Sequence, residues 1–322
     1  MSGAITTRRP QPCETGSLRH IWNTVFGDDG ESSFFDYYFD PDMCVAAIAG
    51  GIPVAAGYLL PAGGIASGGA LAPCAMIYGV ATLPEYRSLG CGAAIVRDLL
   101  SIGRDAGFAA AALCPSNDSL FGFYSSRSAF REWFYVAERK YDGLPVSVNR
   151  VSPAEVPPLS YGRIRESLLM GIPHIVADER ALRYQSVLCH EFGGGLFRID
   201  TQSGVSCAVV EKGRSGALLV KELLAPCGSE TDALYSLASA FPSKGYVVRT
   251  PVRSNKPNPT DHDPKPAGSD VQAHEKMSGC HHLYGDDASS TVRRFGMVSA
   301  PDDLLCTQNA TGFAPWFGLA FD

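Results

Sequence analysis

Between Asp42 and Glu85 the sequence contains no charged residue. An uncharged span of that length either crosses a membrane or is buried inside a protein, and little else in the chain limits the fold as strongly. A spanning helix needs about 20 uninterrupted apolar residues. Here Pro53, Pro61 and Pro73 break the span, and its longest proline-free piece is 11 residues. Glycine pairs recur at Gly50 and Gly51, at Gly63 and Gly64, and at Gly68 and Gly69. Paired glycines between apolar runs signal hairpins, because they accept positive φ without strain. The span therefore reads as an antiparallel meander of residues 45–49, 54–60 and 75–82.

The last of these runs leads into the chemistry. After a turn at Pro84 come Arg87, Ser88, Leu89, Gly90, Cys91 and Gly92, and then a helical pattern over 93–104. A strand that passes through a glycine loop into a helix presents free backbone N–H groups and the positive end of the helix dipole. Such a junction suits a phosphate or pyrophosphate, and glycine at 90 and 92 lets the anion approach the backbone. The P-loop is excluded, since no glycine in that frame is followed by Lys-Ser or Lys-Thr. The dinucleotide fingerprint is excluded as well, because Ile95 stands at its third glycine. A second short apolar run, 108–114, follows Gly107, which fits a helix C-cap. Next come Asn117 and, seven residues on, Tyr124.

Arg87-x-x-Gly90-x-Gly92 after a strand, followed by the Asn117 to Tyr124 spacing, resembles motif A and its sequel in the GNAT superfamily of acetyl-CoA-dependent N-acetyltransferases. The resemblance covers about 50 residues. It implies that acetyl-CoA is co-substrate, with its pyrophosphate on Arg87, Ser88, Leu89, Gly90, Cys91, Gly92 and Ala93, and no metal. It also implies that Asn117 contacts the pantetheine arm and that Tyr124 protonates the departing thiolate. The backbone N–H groups of Val80, Ala81 and Thr82 are the candidates to hydrogen-bond the oxyanion. The chain departs from the family just afterwards, where Ser128 and Ala129 replace the usual Gly-Phe. That departure leaves a non-catalytic acyl-CoA-binding or regulatory module as the alternative.

The chain is longer than one such unit of about 150 residues requires. Helical spacing appears over 18–26 and 32–39 in the first half, and over 161–170 and 178–189 in the second. Runs 205–211, 217–224, 232–241 and 246–251 then read as strand, strand, helix, strand. That order echoes the first half without its glycine loop, and Glu230 near the helix start would repel a pyrophosphate. The expected fold is α/β (α+β): a mixed, mostly antiparallel twisted sheet flanked by helices, the acyl-CoA N-acyltransferase fold. The GNAT unit is placed at 1–145, and a degenerate GNAT-like unit without coenzyme at 146–322. Tandem relatives of the enhanced-intracellular-survival type share this plan.

A net charge of −6 argues against nucleic acid and anionic membranes as partners. The ten cysteines include no CxxC pair, which fits reduced thiols and a cytoplasmic location. The opening residues hold no apolar leader. Cys91, at a helix N-terminus, is expected to favour its thiolate. Residues 253–276 are proline-rich and polar and read as a mobile insertion. The aromatic tail, 313–322, is expected to pack as a final strand. The survival-type resemblance adds a second possibility, that the carboxylates of Asp322 reach the active site as catalytic groups.

The chemistry asks for a base as well. A primary amine of pKa near 10 is only about 0.1% neutral at pH 7. Asp28, Asp29, Glu31, Asp36, Glu132 and the C-terminus are the candidates, and the acceptor, a small-molecule or peptide amine, is left open.

Overall fold

A computed structural model describes residues 4–27, 30–146, 151–213, 216–252, 291–305 and 312–321. The proline-rich segment 253–276, and Asp28, Asp29 and Asp322, lie outside these.

The first half runs β1 (Thr6–Arg8), α1 (Thr15–Phe26), α2 (Glu31–Tyr37), β2 (Cys44–Ala49), β3 (Ile52–Ser67), β4 (Ala70–Thr82), α3 (Cys91–Asp105), β5 (Ala110–Leu113), α4 (Asp118–Arg127) and β6 (Arg131–Tyr141). There follow β7 (Ala154–Glu155), α5 (Pro158–Leu168), β8 (His174–Val176), α6 (Glu179–Glu191), β9 (Gly195–Thr201), β10 (Gly204–Lys212) and β11 (Leu218–Leu224). The chain continues through α7 (Glu230–Ala240), β12 (Tyr246–Thr250), β13 (Thr291–Ser299) and α8 (Asp302–Leu305).

The uncharged span is the meander of β2, β3 and β4, turning at Gly50 and Gly51 and at Gly68 and Gly69. The third glycine pair has a different task. Gly63 lies within β3 at φ +92°, and a Cβ there would sit 2.0 Å from the carbonyl oxygen of Val176. The missing side chain lets β8 pair along β3 opposite Gly64. Helices cover both faces of the meander. Gly57 sits beneath Ile95 and Leu99 of α3. Tyr58, the next residue, points the other way and meets Trp22 of α1 and Phe34 of α2.

All the sheet strands join one continuous sheet in the order β1-β2-β3-β4-β5-β13-β6-β12-β11-β10-β9-β7, with β8 paired to β3. Only β4–β5 and β11–β12 are parallel among the described pairs. The boundary drawn at residues 145/146 does not part this sheet. β13, from the far end of the sequence, lies antiparallel between β5 and β6, and β12 continues from β6. The two halves are interleaved because the edges of β5 and β6 need a partner, and β13 supplies it. In the second half Leu218, Val220 and Leu223 of β11 pack under Leu234 and Leu237 of α7.

The tail is not a strand. It bridges His174 through Trp316 and is buried without a break from Trp316 to Phe321, with Gly318 packed so closely on Glu222 that a Cβ would lie 2.1 Å from its carboxylate. The Glu222 carboxylate, itself fully buried, accepts hydrogen bonds from Trp316 Nε1 at 2.7 Å, Tyr161 Oη at 2.7 Å and Arg165 Nε at 3.0 Å. Arg165 in turn donates to the main-chain oxygens of Ile175 and Phe317. One buried ion pair thus ties α5, β8, β11 and the tail together.

Candidate active site

The cleft follows from unequal strand lengths. β4 and β5 pair through Cys74–Ala110, Ala75–Ala111 and Met76–Ala112. β5 stops at Leu113, whereas β4 runs on to Thr82. The strands part, and a cavity of about 940 Å³ opens between them. Tyr78, Gly79 and Val80 line one side, and Cys114, Ser116 and Asn117 the other.

β4 carries a bulge at this point. Ala81 pairs with Ala56 and Tyr78 with Tyr58, so Gly79 and Val80 together face Gly57. Gly79 is at φ +56°, and a Cβ there would lie 2.8 Å from the Trp22 indole and 3.1 Å from the Tyr58 ring. The bulge takes Gly79 and Val80 out of one-to-one pairing at the cavity wall. Of the three residues expected to supply N–H groups to the oxyanion, Val80 lines the cavity, while Ala81 and Thr82 resume the ladder opposite Ala56 and Ala55.

Residues 87–90 are exposed, and Gly90 caps α3 in the left-handed conformation at φ +84°. Ser88 shares that region at φ +64°, a conformation that costs a non-glycine residue about 1 kcal/mol or more. The first N–H groups of α3, from Cys91, Gly92 and Ala93, have no partner within the helix. Arg87 folds back onto the Thr82 carbonyl. Beside Gly90, a groove of about 360 Å³ is flanked by Arg97, Arg104 and Arg127. At Gly92 a Cβ would make an ordinary 3.4 Å contact with Phe123. Cys91 reverses its expectation. It is 2% exposed, and burial pushes its thiol above the usual range, outweighing the helix terminus.

Tyr124 lies on α4 at the cavity wall, 8% exposed. Burial pushes its phenol up to about 12. Asn117, seven residues before it, is the N-cap of α4. Its Oδ1 accepts from the backbone N–H groups of Ser119 and Leu120 and from the Ser119 hydroxyl. The side chain still borders the cavity.

The base candidates fare unequally. Glu31 and Asp36 are both held by Arg19, and Glu132 by Arg294; none of the three lines the cavity. The tail does reach it. Phe321 lines the wall, and its carbonyl oxygen is 3.4 Å from Tyr78 Oη, the donor.

Sequence reasoning missed four contributors: Trp22, the Gly79 bulge, and Arg294 and Phe295 of β13. Phe295 forms cavity wall, and its carbonyl accepts from Cys114 Sγ at 3.0 Å. Arg294 stacks on Phe121 and pairs with Asp118. The isolated glycine within an apolar strand was the available signal for the bulge.

An acetyltransferase (GNAT) domain model matches residues 6–128. No curated protein matches the sequence. Similar solved structures include a GCN5-related N-acetyltransferase from Kribbella flavida, at 17% identity and TM-score 0.58, covering 92% of this chain and 70% of that one. Another, from Anabaena variabilis, has 12% identity and TM-score 0.60, covering 92% and 72%. Eis1 from Mycobacterium abscessus has 12% identity and TM-score 0.56, covering 92% and 73%. At these identities the likeness is one of fold.

Proposed function

We propose that the chain, whose residues 6–128 match the acetyltransferase (GNAT) domain model, is a GNAT-family acetyltransferase that transfers the acetyl group of acetyl-CoA to a primary amine by direct attack on the thioester. The observation that carries this reading is that one β4–α3–β5 unit holds three features. They are the Gly90 loop at the start of α3, the gap where β4 and β5 part, and the bulge at Gly79 and Val80.

On this reading the α3 terminus binds the pyrophosphate, and Arg97, Arg104 and Arg127 offer charge to the remaining phosphate. The pantetheine arm passes between β4 and residues 114–117. The thioester oxygen meets the bulge N–H groups, which are oriented before charge develops and so favour the oxyanion. The amine nitrogen forms the new C–N bond, the C–S bond breaks, and the proton that the nitrogen loses passes to water, which in turn restores the proton that Tyr124 gives to the sulfur. Tyr124 supplies a proton to the sulfur. A phenol held near 12 stays protonated at every working pH, as an acid must.

The second half, with its order of elements and its Glu230, reads as a degenerate GNAT-like unit with no coenzyme. The experiment is acetyl-CoA titration by calorimetry together with release of coenzyme A in the presence of amines. Binding without turnover of any amine would favour a non-catalytic acyl-CoA module.

A further inference from the structure

Trp22 lies directly against the bulge, 2.8 Å from where a Gly79 Cβ would be, and the aromatic surface continues from there. The Phe26 ring is 5.1 Å from Trp22, edge to face. Tyr78 is 5.7 Å from Trp22, and Phe321 is 6.1 Å from Tyr78. Phe192, at the end of α6, completes the wall of the same cavity. These five rings come from α1, β4, α6 and the tail. Phe26 is 39% exposed, an apolar ring left at the cavity rim that core packing does not use.

The charges lining the cavity point the same way. Among the described residues the lining carboxylates are Asp118 and Glu211, paired with Arg294 and Lys221 respectively. The lining cations are Lys212, Lys221, Arg249, Arg293 and Arg294, of which Arg249 and Arg293 share Glu138 and Arg294 also holds Glu132, which still leaves the wall with more cations than carboxylates. A polycationic acceptor would bring its charges among cations, and it would meet only carboxylates that are already paired.

We infer that the acceptor is a monoamine carried on an aromatic body, an arylalkylamine, and that polycationic amines are excluded. The inference rests on the proposed reaction, because the rings matter only if the thioester lies at the bulge. The aromatic body stacks along Phe26, Phe192 and Phe321, and the nitrogen reaches Gly79 past Trp22. Ring faces attract the arriving ammonium. The same apolar wall removes water from it, which lowers its pKa and eases loss of the proton before attack.

The test compares 2-phenylethylamine, ethylamine and spermidine, in turnover and in calorimetric binding with coenzyme A present. Burial of one ring predicts kcat/KM for 2-phenylethylamine at least about tenfold above either of the others. Phe26→Ser, at the exposed ring, is expected to raise KM and Kd for 2-phenylethylamine about fivefold or more, leaving ethylamine and acetyl-CoA affinity unchanged. Spermidine equal to or better than 2-phenylethylamine overturns the inference, as does binding of none of the three or a Phe26→Ser variant with unaltered ranking. Acetyl-CoA affinity is measured separately, so failure there counts against the proposed reaction while the amine ranking still decides the acceptor.

Discussion

The protein builds one supersecondary unit twice, with different chemistry at the two helix starts. β4–α3–β5 and β11–α7–β12 are each a strand, a helix and a parallel strand, preceded by antiparallel strands. In both, the first strand outruns its pairing with the second. The first junction has Gly90 at the helix start, with exposed loop backbone on either side. The second also has a left-handed glycine, Gly228 at φ +79°, but Glu230 follows at the first turn of α7 and is paired with Arg139. A carboxylate there satisfies the helix dipole from within. Beyond the paired part of β11, Lys221 reaches the same cavity but is paired with Glu211, and Glu222 is taken up by Trp316, Tyr161 and Arg165, whereas the equivalent stretch of β4 lines the cavity with Tyr78, Gly79 and Val80. Glycine alone does not make an anion site. What differs is whether the chain's own side chains have already claimed the space and the charge.

Matched substitutions at the two glycines break or uphold that comparison most directly. Gly90→Val is expected to abolish measurable acetyl-CoA binding, a loss of at least about a hundredfold, since it adds bulk where the anion meets backbone. Gly228→Val carries the same left-handed strain, about 1–2 kcal/mol of stability, and is expected to leave the affinity intact. Equal losses at both sites, read by calorimetry on folded protein, would remove the distinction.

The next effect is one of stability. Glu222→Ala removes the fully buried partner of Arg165, leaving it only the partly exposed Glu166 at 3.1 Å, and urea unfolding should show a loss of about 3 kcal/mol. A loss below about 1 kcal/mol would mean that the second unit is not held shut by this pair.

Tyr124→Phe is expected to lower kcat by about 10²–10⁴-fold with coenzyme affinity retained. The sign of the pH dependence follows from the raised phenol. The protonated form is the active one, and burial holds it up to about 12, so Tyr124 gives kcat no falling limb below about pH 10. A tenfold or smaller loss would reduce Tyr124 to packing.

A stoichiometric test is milder. Titration should saturate at one acetyl-CoA per chain, and still at one in Glu230→Gln, because the space as well as the charge is taken. Saturation at two would show the second junction to be open. Smallest of all, alkylation at pH 8 should label exposed Cys13 and Cys227 well before buried Cys91; rapid labelling of Cys91 would restore the thiolate expected from the helix terminus.

The open unit was legible in the sequence because its signals are local. An apolar run, a glycine-bearing loop and a helical period sit within 30 residues of one another, and the structure keeps them in that order. The closed unit's strands and helix were legible for the same reason. β13 was not. Its partners lie more than 150 residues away in the sequence, and Arg293 and Arg294 side by side spoil the alternation that marks a strand. Nor was the role of Gly63, whose constraint is a carbonyl of Val176 far along the chain. Asn117 shows a further limit. Its spacing to Tyr124 was read from the sequence, but its work as a helix cap depends on backbone geometry that spacing does not reveal.

The position of β13 has a consequence for how the protein is made. Until residues 291–299 have left the ribosome, β5 and β6 cannot be joined, and each presents a bare edge. At about 5–20 residues per second, the 150 or so residues after β6 take roughly 10–30 s to synthesise. Throughout that interval the half that holds the Gly90 loop is an incomplete sheet, open to mispairing with other nascent chains. Catalytic competence therefore arrives late in translation, delivered by a strand that carries none of the family's signature residues.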